Sequence, residues 1–337
     1  MQLTEIVNAF GIGGGRVQPF GTGLINNTWL VETGDIAGKY ILQRVNKNIF
    51  KSPQDIATNI RLLSDHLKQN HPEYFFISPV QTNEGTDLFE TSEGSFRMFP
   101  YVSNSHTIDV VQSPEQAYEA AKAFGKFTKM FSDLDISRLK ITLPHFHDLD
   151  LRFRQFINAV QNGNKSRLAQ SQKLVDFILE QKEIVQQFQD LKSGKEFKLR
   201  TTHHDTKISN VLFDENDQCI CVIDLDTVMP GYFISDVGDM MRTYLSPVSE
   251  EEADYTKIVA RKDFFDAIIE GYSAEMKDEL TKKEKEQFLY AGKFMIYMQA
   301  LRFITDHLSD DIYYGAKYEG QNFVRAGNQV ELLKQLL

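Results

Sequence analysis

The sequence predicts an α+β fold, in which an antiparallel sheet carrying one helix precedes a larger, mainly helical part. Short β-rich runs separated by turn residues fill the first hundred residues, whereas longer stretches with apolar residues at three- and four-residue steps follow residue 103. The length of 337 residues agrees with two domains of roughly 150 residues each. We therefore predict an N-terminal domain over residues 1–103 and a C-terminal domain over residues 104–337, joined by a hinge near residues 101–105.

The N-terminal sheet is predicted from three β-rich runs. Residues 28–33 and 39–44 flank a Gly-containing turn and are expected to pair, while residues 95–99 form a later strand that ends at Pro100. Between them Ser52 and Pro53 open a helix, because proline is favoured at the first helical position. Four apolar residues then recur at helical spacing, namely Ile56, Ile60, Leu63 and Leu67.

Amphipathic periodicity predicts five helices in the C-terminal part, over residues 114–134, 148–159, 168–191, 264–276 and 282–308. A hairpin interrupts them, because residues 210–213 and 220–223 are β-rich and the turn-prone residues 214–217 separate them. Cys219 and Cys221 would point to opposite faces of the second strand, and two cysteines this close cannot build a disulfide framework.

Composition and charge exclude several classes of protein. A net charge of −10 lacks the basic footprint of a general nucleic-acid or anionic-membrane binder, and 12% aromatic residues are too many for a disordered chain. No apolar stretch reaches the roughly 18 residues of a membrane span, and no basic and then apolar leader opens the chain. We expect a cytoplasmic protein with no membrane or nucleic-acid partner.

The densest group of polar residues surrounds the predicted hairpin. Asp205, Lys207 and Asn210 precede its first strand, and Asp224 ends its second strand, so the four side chains can converge across the hairpin. Carboxylate and amide oxygens are ligands that suit Mg²⁺. The pattern indicates phosphoryl transfer, with Asp205 as base, Asn210 and Asp224 as metal ligands, and Lys207 as a cation at the transferred group.

His203, Asp205, Asn210 and the pair Ile223–Asp224 resemble the signature of the aminoglycoside phosphotransferase and choline kinase superfamily, a bilobal relative of the protein kinases. Residues 20–28, 40–46, 224–231 and 301–306 resemble its N-acetylhexosamine 1-kinase branch more closely. The resemblance implies a bilobal protein-kinase-like fold, the cofactors ATP and Mg²⁺, and phosphorylation of the anomeric hydroxyl of N-acetylglucosamine or N-acetylgalactosamine.

The resemblance also implies where the nucleotide binds. Its implied contacts are Gly21, Thr22 and Gly23 in a phosphate-covering loop, Arg44 on a strand, and Met98, Tyr101 and Val102 at the hinge. The strand position that usually supplies a phosphate-binding lysine reads Gln43–Arg44, and the sequence leaves open which of the two faces the nucleotide. Asn59 and Arg61 occupy the helix region where the partner glutamate is expected.

The implied sugar contacts lie in the helical part and are His147, Asp148, Arg152, Arg302, Asp306 and Tyr313. Arginine and tyrosine suit a neutral sugar because they offer hydrogen bonds together with apolar faces. Asp236 and Asp239 are expected to brace the catalytic segment by hydrogen bonds, and Asp226 could join the outer shell of the metal.

Two alternatives stay open at this point. The acceptor could be another small hydroxylated molecule, such as homoserine, choline, a methylated sugar or an aminoglycoside, although two arginines disfavour a cationic acceptor. The chain could also be a non-catalytic kinase-like binding module, although the base and both metal ligands are present. A P-loop string is absent from the sequence, and Arg16 replaces the third glycine of a dinucleotide fingerprint. The oligomeric state is left open.

Overall fold

The computed structural model describes residues 3–13, 15–21, 25–34 and 38–337 of the chain. Thr22 and Gly23, two of the expected nucleotide contacts, lie outside these residues. The chain forms two compact units whose segments alternate along the sequence. The first unit holds the described parts of Met1–His106, Asp133–Pro144 and Leu212–Pro230, and the second holds Thr107–Ser132, His145–Val211 and Gly231–Leu337.

An antiparallel sheet dominates the first unit. Its strands are β1 Gly15–Pro19, β2 Asn27–Thr33, β3 Lys39–Arg44, β4 Phe89–Thr91 and β5 Gly94–Pro100, in the spatial order β1, β2, β3, β5, β4. Leu42 of β3 lies opposite Met98 of β5, and both pack in the core with Val31, Phe96 and Ile6. Alternate strand residues point to opposite faces, which leaves the other face of the sheet for polar side chains. The three predicted strands are confirmed.

Two helices accompany the sheet, α1 Leu3–Ala9 and α2 Pro53–Asn70. The helix α2 begins with Pro53 as predicted, and Ile56, Ile60, Leu63 and Leu67 are buried along one stripe. Helical spacing therefore identified the buried face of this helix correctly.

A buried asparagine of α2 anchors the two later segments of the first unit. Asn59 is fully buried, and its side-chain amide donates to the carbonyl oxygens of Lys140 and Val228, both at 2.9 Å. Its carbonyl oxygen accepts the backbone N–H of Lys140 at 2.8 Å. The residue that stands where a glutamate was expected thus holds backbone in place.

The predicted hairpin is confirmed, since β7 Val211–Phe213 pairs with β8 Cys219–Val222. Cys221 is buried and Cys219 is half-buried, as expected for alternate residues of a strand. Burial raises the pKa of the Cys221 thiol to about 12, which keeps it protonated.

Helices form most of the second unit. They are α3 Pro114–Lys129, α4 Leu149–Asn162, α5 Lys165–Glu180, α6 Glu183–Ser193, α7 Phe233–Tyr244, α8 Lys262–Met276, α9 Lys282–Lys285, α10 Phe288–Leu308 and α11 Gln321–Lys334. Two short strands, β6 Arg200–Thr202 and β9 Met229–Gly231, complete the elements of the described chain together with short 3₁₀ turns. The helix α10 is buried along most of its length and packs against α4, α7 and α11.

Two predicted helices are each divided in the structure. The stretch 168–191 forms α5 and α6, which separate at Gln181 and Lys182, and the stretch 282–308 forms α9 and α10. The short helix α9 is fixed by a buried contact, because Glu284 binds Arg200 and accepts the backbone N–H of Lys198. Apolar periodicity continues across both breaks, and therefore does not reveal them.

In the described part of the chain, no helix combines the length and the apolar character that crossing a membrane requires.

Candidate active site

The segment from His203 to Asn210 follows strand β6 in the second unit and ends in a 3₁₀ turn, Ile208–Asn210. Carboxylates of the helix α7 hold its backbone. Asp236 accepts the backbone N–H groups of His203 at 3.0 Å and His204 at 2.7 Å. Asp239 accepts the N–H of Thr206 at 2.9 Å. The predicted bracing by Asp236 and Asp239 is confirmed.

Close packing reinforces this brace. His204 has a left-handed backbone, with φ at 68°. A Cβ added to Gly231 would lie 2.4 Å from the His204 ring, so only glycine fits there. The ring of His203 lies edge-on to Phe124 and Phe127 of α3, which makes it part of the core. The segment is therefore held from its backbone and from both histidine rings.

Two polar groups contact the carboxylate of Asp205. Lys207 Nζ lies 3.0 Å from Oδ1, and the Asn210 side-chain amide donates to Oδ2 at 3.1 Å. Burial by itself would raise the pKa of Asp205, but the charges of Lys207, His203 and Arg242 lower it below its usual value. Asp205 is therefore ionised near neutral pH, in the form that can accept a proton.

The orientation of Asn210 fits an oxygen ligand of a metal. Its amide nitrogen donates both to the backbone oxygen of Asp205, at 2.8 Å, and to the Asp205 carboxylate, at 3.1 Å. These two bonds use both amide hydrogens and fix the plane of the group, so the carbonyl oxygen points away from Asp205. An amide oxygen held in this way belongs to the donor set that Mg²⁺ prefers.

Asp224 lies in the first unit, after β8 and before a 3₁₀ turn, Leu225–Thr227. Its backbone is left-handed, with φ at 58° and ψ at 61°. A residue other than glycine rarely adopts this conformation, and such residues are concentrated at functional sites. A carboxylate in this position also belongs to the oxygen donors that suit Mg²⁺.

The expected nucleotide contacts that the structure describes all lie in the first unit. Gly21 has a φ of +77°, in the left-handed region that favours glycine. Tyr101 contacts the ring of Phe20 edge-on, and the carbonyl oxygen of Val102 accepts the hydroxyl of Ser105 at 2.7 Å. The side chain of Met98 is fully buried in the core of this unit.

Gln43 and Arg44 point to opposite faces of β3 because they are neighbours in a strand. The Arg44 guanidinium donates twice to Asn27 Oδ1, at 3.2 and 2.8 Å. Gln43 contacts a cation that the sequence analysis did not single out, since its Oε1 accepts a hydrogen bond from Arg97 Nε at 3.0 Å. The available signal was a lone arginine within the apolar strand 95–99.

Four of the six expected sugar contacts line one cavity of the second unit, and His147 and Asp148 are not among its lining residues. Arg152, Arg302, Asp306 and Tyr313 line a cavity of about 500 Å³. The Arg302 guanidinium lies 5.8 Å from the ring centres of Phe146 and Tyr313, and 5.3 Å from that of Tyr314. The cavity thus combines hydrogen-bond donors with aromatic faces. Tyr314, which the sequence did not predict as a sugar contact, also lines the cavity and contacts Arg302.

Asp306 acts on the loop that carries the two tyrosines. It is buried, and its carboxylate accepts the backbone N–H of Tyr313 at 2.7 Å and that of Tyr314 at 2.9 Å. The Asn322 amide donates to the same carboxylate at 3.1 Å. These bonds consume most of its acceptor capacity, so Asp306 positions the loop.

His147 and Asp148 lie at the start of α4. His147 stacks on Phe146 with ring centres 4.3 Å apart, and its Nδ1 lies 3.3 Å from Nδ1 of His204. Burial, followed by the charges of His204 and Arg302, lowers the pKa of His147 well below its usual value, which keeps the ring neutral. Asp148 caps α4 by accepting the N–H of Leu151 at 3.1 Å. His147 therefore lies between Phe146, which contacts Arg302, and His204 in the segment from His203 to Asn210.

Comparison with known proteins identifies the family. The model of the phosphotransferase enzyme family matches residues 16–267, which is more than half of the chain. The chain belongs to this family. The phosphotransferase fold is α+β, with an N-terminal antiparallel sheet and a helical C-terminal part, and it is of the protein-kinase-like type found in aminoglycoside phosphotransferases and choline kinases. The protein is thus a small-molecule phosphotransferase of this type.

Solved structures share this fold at low sequence identity. A spectinomycin phosphotransferase in complex with ADP and spectinomycin is 15% identical, with a TM-score of 0.63 over 99% of this chain and 97% of that chain. A microcompartment-associated aminopropanol kinase is 13% identical, with a TM-score of 0.64 over 98% and 94%. The choline kinase of Streptococcus pneumoniae is 12% identical, with a TM-score of 0.53 over 98% and 97%. At such identities the likeness supports the fold of this phosphotransferase and leaves its acceptor to be argued from its own residues.

Proposed function

We propose that this phosphotransferase transfers the γ-phosphoryl group of ATP to the anomeric hydroxyl of an N-acetylhexosamine and produces the sugar 1-phosphate. The observation that carries the proposal is the Asp205 carboxylate, which Lys207 and Asn210 contact on separate oxygens and whose pKa is held below its usual value. A base with a low pKa suits an anomeric hydroxyl, because that hydroxyl is more acidic than an ordinary alcohol. We place the protein in the cytoplasm.

The proposed reaction assigns one task to each side chain of the catalytic segment. Asp205 accepts the proton of the attacking hydroxyl, and Lys207 offsets negative charge on the transferred group. Asn210 and Asp224 are the proposed ligands of Mg²⁺, which supplies charge neutralisation at the phosphates. The proposed nucleotide contacts are Gly21, Thr22, Gly23, Arg44, Met98, Tyr101 and Val102.

The cavity of the second unit supports a sugar as the acceptor. Arg152 and Arg302 offer hydrogen-bond donors, and Tyr313 is 69% exposed, so its ring is available to stack on a pyranose. Within the described residues, neither arginine forms an ion pair with a carboxylate, and Asp306 is occupied by the loop. A cationic acceptor would meet the positive charges of two arginines there, which disfavours choline, aminopropanol or an aminoglycoside as the substrate.

Phosphorus NMR tests the proposal directly. The protein is incubated with ATP, Mg²⁺ and either N-acetylglucosamine or N-acetylgalactosamine, and the expected product is a C1 phosphate. The same assay with choline, homoserine and an aminoglycoside serves as the comparison set. Turnover of a cationic acceptor without turnover of either sugar would overturn the sugar assignment, and a C6 phosphate would overturn the position of attack.

A further inference from the structure

The residues at the expected positions of the lysine and glutamate pair all have other partners in the structure. Arg44 binds Asn27, and Asn59 binds backbone oxygens of the first unit. Arg61 donates to Asp87, with Nε 3.0 Å from Oδ2. The lysine and glutamate pair that must be in place in protein kinases therefore has no counterpart at these positions.

The neighbouring strand carries a buried cation instead. Arg97 lies in the middle of β5, directly opposite Gln43 in the register of the sheet. Its side chain is 4% exposed and forms an ion pair with Asp226, while its Nε donates to Gln43 Oε1 at 3.0 Å. Its guanidinium also lies over the ring of Phe99, 5.3 Å from the centre. Arg97 is thus oriented from three sides.

The carboxylate of Asp226 joins three parts of the first unit. One oxygen pairs with Arg97, and the other accepts the side-chain amide of Asn26 at 2.8 Å. Asn26 follows residues 21–23, which the sequence predicts to be a glycine-containing loop, and its own Oδ1 accepts the backbone N–H of Asn46 at 3.0 Å. Asp226 itself lies in the 3₁₀ turn that begins directly after Asp224. A single buried carboxylate therefore links the sheet, the end of the glycine-containing loop and the backbone beside Asp224.

Stability alone gives a poor account of this pair. Arg97 and Asp226 are 3% and 2% exposed, and a buried ion pair is often no more stabilising than apolar residues of similar volume. Its geometric effect is more specific, because a group bonded from two sides cannot rotate without breaking one of the bonds. The pair holds the turn that follows Asp224, whose left-handed backbone needs support.

We propose that Arg97 and Asp226 are a positioning pair for the nucleotide site, which holds Asp224 in the conformation that binds Mg²⁺ and aligns the end of the glycine-containing loop with it. This inference rests on the proposed function, since it takes Asp224 as a magnesium ligand. In this proposal Asp226 supports the metal ligand Asp224. The ion pair of Arg97 with Asp226 takes the place of the lysine and glutamate pair of protein kinases.

The test compares binding of ADP with and without Mg²⁺ by titration calorimetry, so it requires no acceptor and no turnover. The informative variant is the double substitution Arg97→Met with Asp226→Asn, which leaves no buried charge unpaired and keeps an oxygen for Asn26. We expect each single variant to melt at a lower temperature than the double variant, because each single variant leaves one buried charge unpaired. We also expect the gain in ADP affinity caused by Mg²⁺ to fall by about tenfold or more, as is typical when support of a metal ligand is lost.

The matched control is Arg61→Met with Asp87→Asn, which neutralises another ion pair of the same unit and should keep the wild-type gain from Mg²⁺. Arg97→Lys should restore part of the gain in ADP affinity from Mg²⁺ relative to Arg97→Met, because lysine keeps the positive charge but lacks the paired donors of the guanidinium. A folded double variant with the wild-type gain would overturn the positioning role alone. A wild-type protein that binds ADP equally well with and without Mg²⁺ would overturn both this inference and the proposed metal ligands.

Discussion

The segment from His203 to Asn210, which carries the proposed base, and the proposed acceptor cavity lie in the same unit but hold their charged groups in opposite ways. Around the catalytic segment, Asp236 and Asp239 are buried and bind backbone N–H groups, and Asp205 is paired with Lys207. In the cavity, Arg152 and Arg302 have no carboxylate partner within the described chain, and Arg302 contacts only neutral groups. We infer that the cavity serves recognition, because a ligand can replace the neutral partners of Arg152 and Arg302 more readily than the buried carboxylates that hold the segment.

The same contrast extends to the backbone. Asp236, with its pKa raised to about 7 by burial, and the hydroxyl of Tyr244, which donates to the carbonyl oxygen of Thr206 at 2.6 Å, leave the catalytic segment little freedom. The loop that carries Tyr313 and Tyr314 is bonded by Asp306 and Asn322, but its Ile312 is 84% exposed. We infer that acceptor specificity can change in this loop without disturbing the base.

The largest expected effect is that of replacing the proposed base. Asp205→Asn removes the proton acceptor and keeps the shape, so kcat should fall by about 10² to 10⁴-fold. The affinity for ADP, measured by calorimetry, should stay within about threefold of the wild type, since the variant loses no proposed nucleotide contact. Asp278→Asn changes an exposed aspartate and is the matched control. Wild-type kcat in Asp205→Asn would contradict the assignment of the base.

The next effect concerns Arg302 and distinguishes binding of the sugar from the remaining steps of the reaction. Arg302→Met keeps an apolar stem against Phe146 and Tyr314 but removes the donors, so KM for the sugar should rise by about ten- to a hundredfold. Because Asp205 and its brace are untouched, KM for ATP should stay unchanged. Steady-state kinetics with each substrate varied in turn measure both values. Arg154→Met, an exposed position on α4, is the control. Equal increases in both KM values would show that the cavity and the base are not separable.

A smaller effect concerns pH. Lys207 lowers the pKa of Asp205, so Lys207→Met should raise that pKa. Loss of the ionised base is then expected at higher pH, and the acid limb of the profile of kcat/KM against pH should move upward in the variant. Lys195→Met, at an exposed position, should leave the acid limb where it is in the wild type. An unshifted acid limb in Lys207→Met would contradict the electrostatic coupling, even if kcat falls.

Sequence reasoning recovered the features that are local in the chain. The buried stripe of α2 and the contacts of Asp205 with Lys207 and Asn210 each involve residues a few positions apart, so periodicity and spacing were sufficient to predict that these residues lie together. The membership of a phosphotransferase family followed from the same short motifs. The predicted domain division at residue 103 and the individual ligand contacts stay predictions.

The features that escaped sequence reasoning depend on partners distant in the chain. Arg97 and Asp226 are far apart in sequence, and no pattern indicates that one would meet the other. The breaks after α5 and α9 contain neither proline nor glycine, and the second depends on the contact between Glu284 and Arg200. The bonds of Asp306 to the backbone N–H groups of Tyr313 and Tyr314 are likewise not visible in a sequence.

The smallest effect concerns Asp148 and tests whether this residue belongs to the acceptor cavity or only caps α4. Its carboxylate caps α4 by accepting the N–H of Leu151, so Asp148→Ala should lower the free energy of unfolding by about 1 kcal/mol in urea titration. Ser113→Ala removes the corresponding cap of α3 and should cost a similar amount. If capping is the main role of Asp148, KM for the sugar will match that of the Ser113 variant. A rise in KM confined to Asp148→Ala would instead place this carboxylate on the acceptor, and the recognition surface would then reach the first turn of α4.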